Sequence, residues 1–176
     1  AALFVMSLGI ALVTRGNLGT TPISSLPLVS SYATNLTFGE TTFLINLLFV
    51  AAQWVLLRRS INKVLLLAQI PITLAFSYFI DTSMKFTEFL SSDVYWKCFA
   101  VSMLGNVVLG LGVALEVFSG AAALPGEGLV LAVSTVLHKP FSSVKIANDV
   151  ILVLLALLLS YCVFHGIRGL REGTVI

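Results

Sequence analysis

This chain mixes long apolar runs with two that are too short, and that contrast limits its fold more than any other feature. A helix needs about 20 apolar residues to cross a hydrocarbon core about 30 Å thick, because each residue rises about 1.5 Å. Phe43 to Leu57, with a polar lead-in from Phe38, meets this requirement, as do Val64 to Ile80, Trp96 to Phe118 and Lys145 to Phe164. Residues 1–14 read as the end of a further span. Ile23 to Ala33 and Gly128 to Leu137 run only about a dozen residues each and follow Pro22 and Pro125. Half-length helices sit at membrane depth only where the irregular backbone before them is buried in protein or lines a cavity.

Composition agrees. Of 176 residues, 58% are hydrophobic and 10% charged, with mean hydropathy +1.04. Ordinary soluble domains carry about 25% charged residues. Eighteen charges cannot clothe a soluble surface of this size, which excludes a secreted disulfide scaffold, a nucleic-acid binder and a soluble enzyme. The net charge of +2 gives no reason to expect an anionic polymer as partner. Cys98 and Cys162 stand far apart in apolar stretches, and His138 and His165 stand at segment ends. Neither pattern spells a metal or redox site, so no cofactor is expected. The reading is an all-α polytopic membrane protein whose partner is the lipid bilayer. The opening Ala1-Ala2-Leu3 and the closing Arg171 to Ile176 both fall inside segments, so truncation at both ends is expected.

A shift of 103 residues, Pro22 onto Pro125, lines up the two halves without gaps. Leu8-Gly9-Ile10-Ala11-Leu12 falls on Leu111-Gly112-Val113-Ala114-Leu115, Ser31 on Ser134, Phe38 on Phe141, and Asn46 on Asp149. This predicts an internal duplication, with a first repeat over 1–80, a connecting loop over 81–95 and a second repeat over 96–176. Residues 1–58 should superpose on 104–161. Each repeat reads as span, half-helix, span, span. Re-entrant half-helices give three crossings and inverted repeats; crossing half-helices give four spans and parallel repeats. Inverted repeats are favoured, because paired broken segments are a common transporter layout. Arg58, Arg59 and Lys63 place their loop in the cytoplasm and the acidic loop from Asp81 to Asp93 outside. The basic residues of the second half divide evenly between the two topologies.

Ionisable groups inside a bilayer cost about 2.5–3.5 kcal/mol, so each needs a partner or a task. Glu116 lies at an apolar helix end, and Glu127 lies where the second half-helix begins. Glu127 reads as a helix cap or as a cation, proton or amine site. Glu116 reads as an acceptor for irregular backbone or as a solute or proton site. Lys145 and Asp149, four apart, can face each other on one helix and neutralise one another. Asn46, the counterpart of Asp149, places a polar face in both halves, and Gln53 follows two turns on. Asn106, Asn148 and Gln69 read as partners in hydrogen bonds between helices. In the first half, Thr20, Thr21 and Ser24 set hydroxyls around Pro22 at a helix start, where free N–H groups can receive an anionic group.

Asn17-Leu-Gly19-Thr20-Thr21-Pro22-Ile23-Ser24, Leu67-Ala-Gln69-Ile-Pro71 and Phe79-Ile80-Asp81 closely resemble the first half of the YczE/YyaS/YitT family of bacterial membrane proteins. Leu124-Pro125-Gly126-Glu127-Gly128-Leu129-Val130, the run Val144-Lys145-Ile146 with Asp149, and Gly169 to Ile176 extend the resemblance to the second half. The resemblance implies a further apolar segment opening at Arg171-Glu172-Gly173-Thr174. It brings no activity with it, and Gly120-Ala121-Ala122-Ala123 departs from the bulkier residues expected there.

The leading functional expectation is a multi-pass inner-membrane transporter for a small polar solute. Its midplane site would be drawn from Glu127, Asp149, Lys145, Glu116, Asn46, Thr20, Thr21 and Ser24. The alternatives are a substrate-capture or accessory subunit that needs an energising membrane partner, and a non-transporting scaffold. A homo-oligomer is compatible with all three. Nothing in the sequence points to an enzyme.

Overall fold

The computed structural model describes residues 1–57, 63–90, 94–119 and 124–164. Among them are seven α-helices: α1 (Ala2–Arg15), α2 (Pro22–Ala33), α3 (Phe38–Leu57), α4 (Lys63–Phe86), α5 (Tyr95–Ser119), α6 (Pro125–Leu137) and α7 (Phe141–Phe164). A short 3-10 turn, Glu88–Leu90, follows α4. Helices α3, α4, α5 and α7 are long and apolar enough to span a membrane. The protein is an all-helical membrane protein. The basic loop at Arg58 and Arg59, the Gly120 to Ala123 stretch and everything from His165 on, Arg168, Arg171 and Glu172 included, lie outside the described residues.

Local chemistry sets the helix ends. Pro22 and Pro125 open α2 and α6, where a missing N–H costs nothing and the ring presets φ. Gly19, at φ 129, makes a turn that a side chain would strain. The start of α3 carries a reciprocal cap: the Thr37 N–H donates to Glu40 Oε2 at 2.8 Å and the Glu40 N–H to Thr37 Oγ1 at 3.1 Å. Asp81 adds a second cap from α4, accepting from the Gly39 N–H at 2.7 Å and from the Thr37 hydroxyl at 2.6 Å. Asp81 therefore belongs to a helix rather than to a connecting loop. Helix α4 runs on to Phe86 and does not stop at Ile80.

The packing is tightest where glycine removes a side chain. A Cβ on Gly9 would stand 2.5 Å from the Leu109 nitrogen, and one on Gly112 would stand 2.7 Å from the Met6 nitrogen. Gly105 lies against Val13, and Gly16 against Ser102. As α1 advances from Met6 to Gly16, its partners on α5 retreat from Gly112 to Ser102, so the two helices are antiparallel. The contact is also reciprocal. Under the 103-residue shift Gly9 becomes Gly112 and Met6 becomes Leu109, so Gly9 on Leu109 and Gly112 on Met6 are one contact made twice.

The remaining pairs follow the same exchange. Helix α2 packs on α7 and α3 on α6, while α2 neighbours α3 and α6 neighbours α7. Exchanging α1, α2 and α3 for α5, α6 and α7 leaves these pairs unchanged. Helix α4 runs antiparallel to α3, with Asp81 beside Gly39 and Gln69 beside Gln53. It runs parallel to α1, with Phe79 against Phe4 and Ser83 against Ser7. A core of Met6, Ile10, Leu28, Phe38, Phe76, Ile80 and Leu124 fills the space between them.

Candidate functional site

The starts of the two short helices meet. Ile23, in the first turn of α2, has its Cδ1 2.1 Å from where a Cβ on Gly126 would stand, in the first turn of α6. Residues 23 and 126 are counterparts under the shift, so each half contributes the same position to the junction. With any other residue at 126 the end of the Ile23 side chain would have to turn aside.

Around the α2 start lies a cavity of about 1000 Å³. The turn before α2 contributes Gly19, Thr20 and Thr21, α5 contributes Ser102 and Asn106, and α7 contributes Asp149. Three of the residues selected from sequence, Thr20, Thr21 and Asp149, therefore share one wall space, although five helices and more than a hundred positions separate Thr21 from Asp149 in the chain. Ser24 stands behind them, accepting a 2.9 Å hydrogen bond from the Thr21 hydroxyl. Lys145 reaches the cavity only through its partner: its Nζ donates to Asp149 Oδ1 at 2.9 Å, with the side chains 31% and 25% exposed. The pair is a half-open ion pair and not a buried one.

Around the α6 start the chemistry is different. The Leu124 N–H, just ahead of α6, donates to Glu116 Oε1 at 3.2 Å. Gln53 Nε2 donates to the Pro125 carbonyl at 3.0 Å and pairs with the Gln69 amide at 3.2 Å. The space that a Cβ on Gly128 would need is taken by these two amides. Glu116 is only 7% exposed, and its Oε2 has no hydrogen-bond partner among the described residues. Glu127 sits half-buried in the first turn, and among the described residues its own carboxylate makes no cap bond there. Glu116 thus takes the capping donor that Glu127 was expected to hold. Both carboxylates gain from the positive end of the α6 dipole.

Asn46 is buried on α3, and neither it nor Glu116 nor Glu127 lines the cavity. Gln69 makes the hydrogen bond between helices expected of it. Asn106 instead faces the cavity, and Asn148 Nδ2 is buried without a partner among the described residues. Sequence reasoning missed the wall residues Ser102, Tyr95 and Phe99, because a serine or an aromatic on an apolar helix carries no signal of what it faces.

The sequence matches one described family over residues 1–176, a family of unknown function, DUF6198. The chain belongs to it. No curated protein and no solved structure matches this DUF6198 chain. Membership therefore adds no chemistry to the site, and the geometry has to carry the functional reading alone.

Proposed function

We propose that this chain is an inner-membrane transporter for a small polar solute, built from two inverted repeats around the junction of α2 and α6. It is similar to the YczE/YyaS/YitT proteins in the motifs quoted above. The observation that carries the reading is the meeting of Ile23 and Gly126 at the junction beside a cavity that draws Thr20 and Thr21 from one half and Asn106 and Asp149 from the other. Discontinuous helices whose N-termini meet give a ligand backbone donors and a wet wall at membrane depth.

The direction of the helices supports inversion. Each long helix following its neighbour reverses direction, so α3 and α5 run one way and α4 the other; α1 runs with α4 and against α5. The link through α2 thus starts and ends on one side. Three crossings per repeat and a re-entrant half-helix account for this; four crossings would have made α1 and α5 parallel. With the basic loop at Arg58 and Arg59 inside, the α1 C-terminus faces outward.

The test is a thermal-shift screen of the purified protein against small metabolites, followed by uptake in proteoliposomes. A solute at 100 times its Kd stabilises the folded state by about 2.7 kcal/mol. Binding that disappears in Asp149→Asn, together with flux by the protein alone, supports the transporter. Binding without flux assigns a capture subunit that needs a partner. Neither binding nor flux assigns a scaffold and sinks the reading.

A further inference from the structure

The cavity beside α2 has a chemical bias. Among its described lining residues, Asp149 alone carries a carboxylate or a basic group. An ammonium already sits on that carboxylate: Lys145 Nζ donates to Asp149 Oδ1 at 2.9 Å. Lys145 itself does not line the cavity. It stands one turn from the start of α7 with its side chain 31% exposed, so its long stem can carry the ammonium away toward the interface.

The polar groups around Asp149 suit a hydrogen-bond donor better than an anion. An ammonium brings three N–H bonds and no acceptor. Thr21 gives its hydroxyl proton to Ser24, which leaves the Thr21 oxygen as an acceptor on the wall. The Asn106 amide oxygen and the Ser102 hydroxyl can accept as well. An anion finds less. A helix start ordinarily presents four N–H groups without partners. At α2, Pro22 has no N–H, and the Ser24 N–H already donates to the Thr21 carbonyl at 2.9 Å. The rest of the wall is largely apolar, with Val153 and Leu154 from α7 and the rings of Tyr95 and Phe99 from α5. Aromatic faces attract ammonium groups as well as apolar ones.

On the transporter reading, we propose that the solute is an organic ammonium with an apolar body, and that its ammonium replaces that of Lys145 on Asp149. In the empty site Lys145 keeps the carboxylate paired at membrane depth, where an unpaired charge is costly. On binding, the solute takes over that pairing, the Lys145 ammonium returns toward the interface, and the apolar body covers the aliphatic and aromatic wall. Only hydrogen bonds change, and Asp149 is paired before and after. Solute and Lys145 are therefore competitors for one carboxylate.

The test uses three probes of related skeleton on the purified full chain: 2-phenylethylamine, 2-phenylethanol and phenylacetate. Thermal stabilisation should half-saturate with the amine at about a tenth of the alcohol concentration or less, because a charge-assisted bond replaces a neutral one. Phenylacetate should not stabilise. Lys145→Met should tighten amine binding by about twofold, since it removes a weak i,i+4 competitor, and should leave the alcohol unchanged. Asp149→Asn should abolish stabilisation by the amine. Equal binding of amine and alcohol, or a preference for phenylacetate, overturns the inference and leaves the transporter reading standing. So does amine binding that Lys145→Met leaves unchanged or weakens. Failure of all three probes, while metabolites other than amines bind in the screen, overturns it in the same way. If no solute binds at all, the transporter reading falls and this inference falls with it.

Discussion

The starts of α2 and α6 occupy counterpart positions and touch, yet they are finished with different side chains. Beside α2 stand Thr20, Thr21 and Val13; beside α6 stand Glu127, Leu124 and Glu116, the counterpart of Val13. Gln53 ties α3 to the α6 start, whereas its counterpart Ala156 packs on Val29 with no exposure. One end is thus satisfied internally by a carboxylate and two amides. The other offers its first turn and its hydroxyls to a cavity. Counterpart positions make matching contacts where α1 crosses α5, and ligand access differs between the two starts.

The largest effect should come from breaking the contact that makes the halves counterparts. Gly9→Leu and Gly112→Leu each drive a side chain into the facing backbone, 2.5 to 2.7 Å from a nitrogen. Overpacking costs about 1–3 kcal/mol and more when the obstacle is backbone, so both variants should lose about 3 kcal/mol or fail to fold. Because the contact is made twice, the two losses should agree. Gly110→Ala, one residue from the same helix face, should be neutral or gain up to about 1 kcal/mol in helix propensity. Thermal unfolding in one detergent compares the three. Unequal losses at Gly9 and Gly112 would break the pairing.

Next comes the cap on α6. Glu116→Ala strands the Leu124 N–H, and an unsatisfied buried donor costs about 1–3 kcal/mol. Glu116→Gln keeps an acceptor oxygen, and its amide replaces the unpartnered Oε2, so it should unfold close to the parent protein. If Glu116→Ala were as stable as the parent, the carboxylate would be held for another purpose.

Gln53→Ala removes one bond to the Pro125 carbonyl and the two exchanged with the Gln69 amide, for a loss of about 1–3 kcal/mol. The loss should shrink when Gln69→Ala is already present, since the two amides satisfy each other. A double-mutant cycle on unfolding free energies reads this coupling directly.

Much of this architecture was legible in the sequence, because the signals are local. The long helices follow from apolar length and the two short ones from Pro22 and Pro125. The Thr37-x-x-Glu40 cap at the start of α3 is a local signal of the same kind. Asp81 was not legible in this way: its role depends on where α4 ends relative to Gly39, which no spacing within either helix reveals. The same holds for the competition at α6. Glu127 stands at the expected capping distance, but Glu116 arrives from another helix and takes the donor. Three-dimensional packing, not propensity, decided which carboxylate won.

The smallest stability effect, and the sharpest functional one, is expected at Lys145 and Asp149. As a buried pair, either residue alone would cost about 3–5 kcal/mol to remove. The pair is instead a quarter to a third exposed and spaced i,i+4, a geometry worth about 0.3–0.5 kcal/mol. Lys145→Met and Asp149→Asn should therefore each unfold within about 0.5 kcal/mol of the parent protein. Their effects on a bound solute should diverge, because Asp149 lines the cavity with Thr20, Thr21 and Asn106, while Lys145 does not. Thermal stabilisation by any solute found in the screen should survive Lys145→Met and vanish in Asp149→Asn. Asn46→Asp, the counterpart change, adds a carboxylate to a buried position on α3 outside the cavity and should leave that stabilisation unchanged at some cost in stability. Equal loss of binding in the Lys145 and Asp149 variants would make the ion pair itself the recognition element. Loss in the Asn46 variant would move the site to the α6 side of the junction.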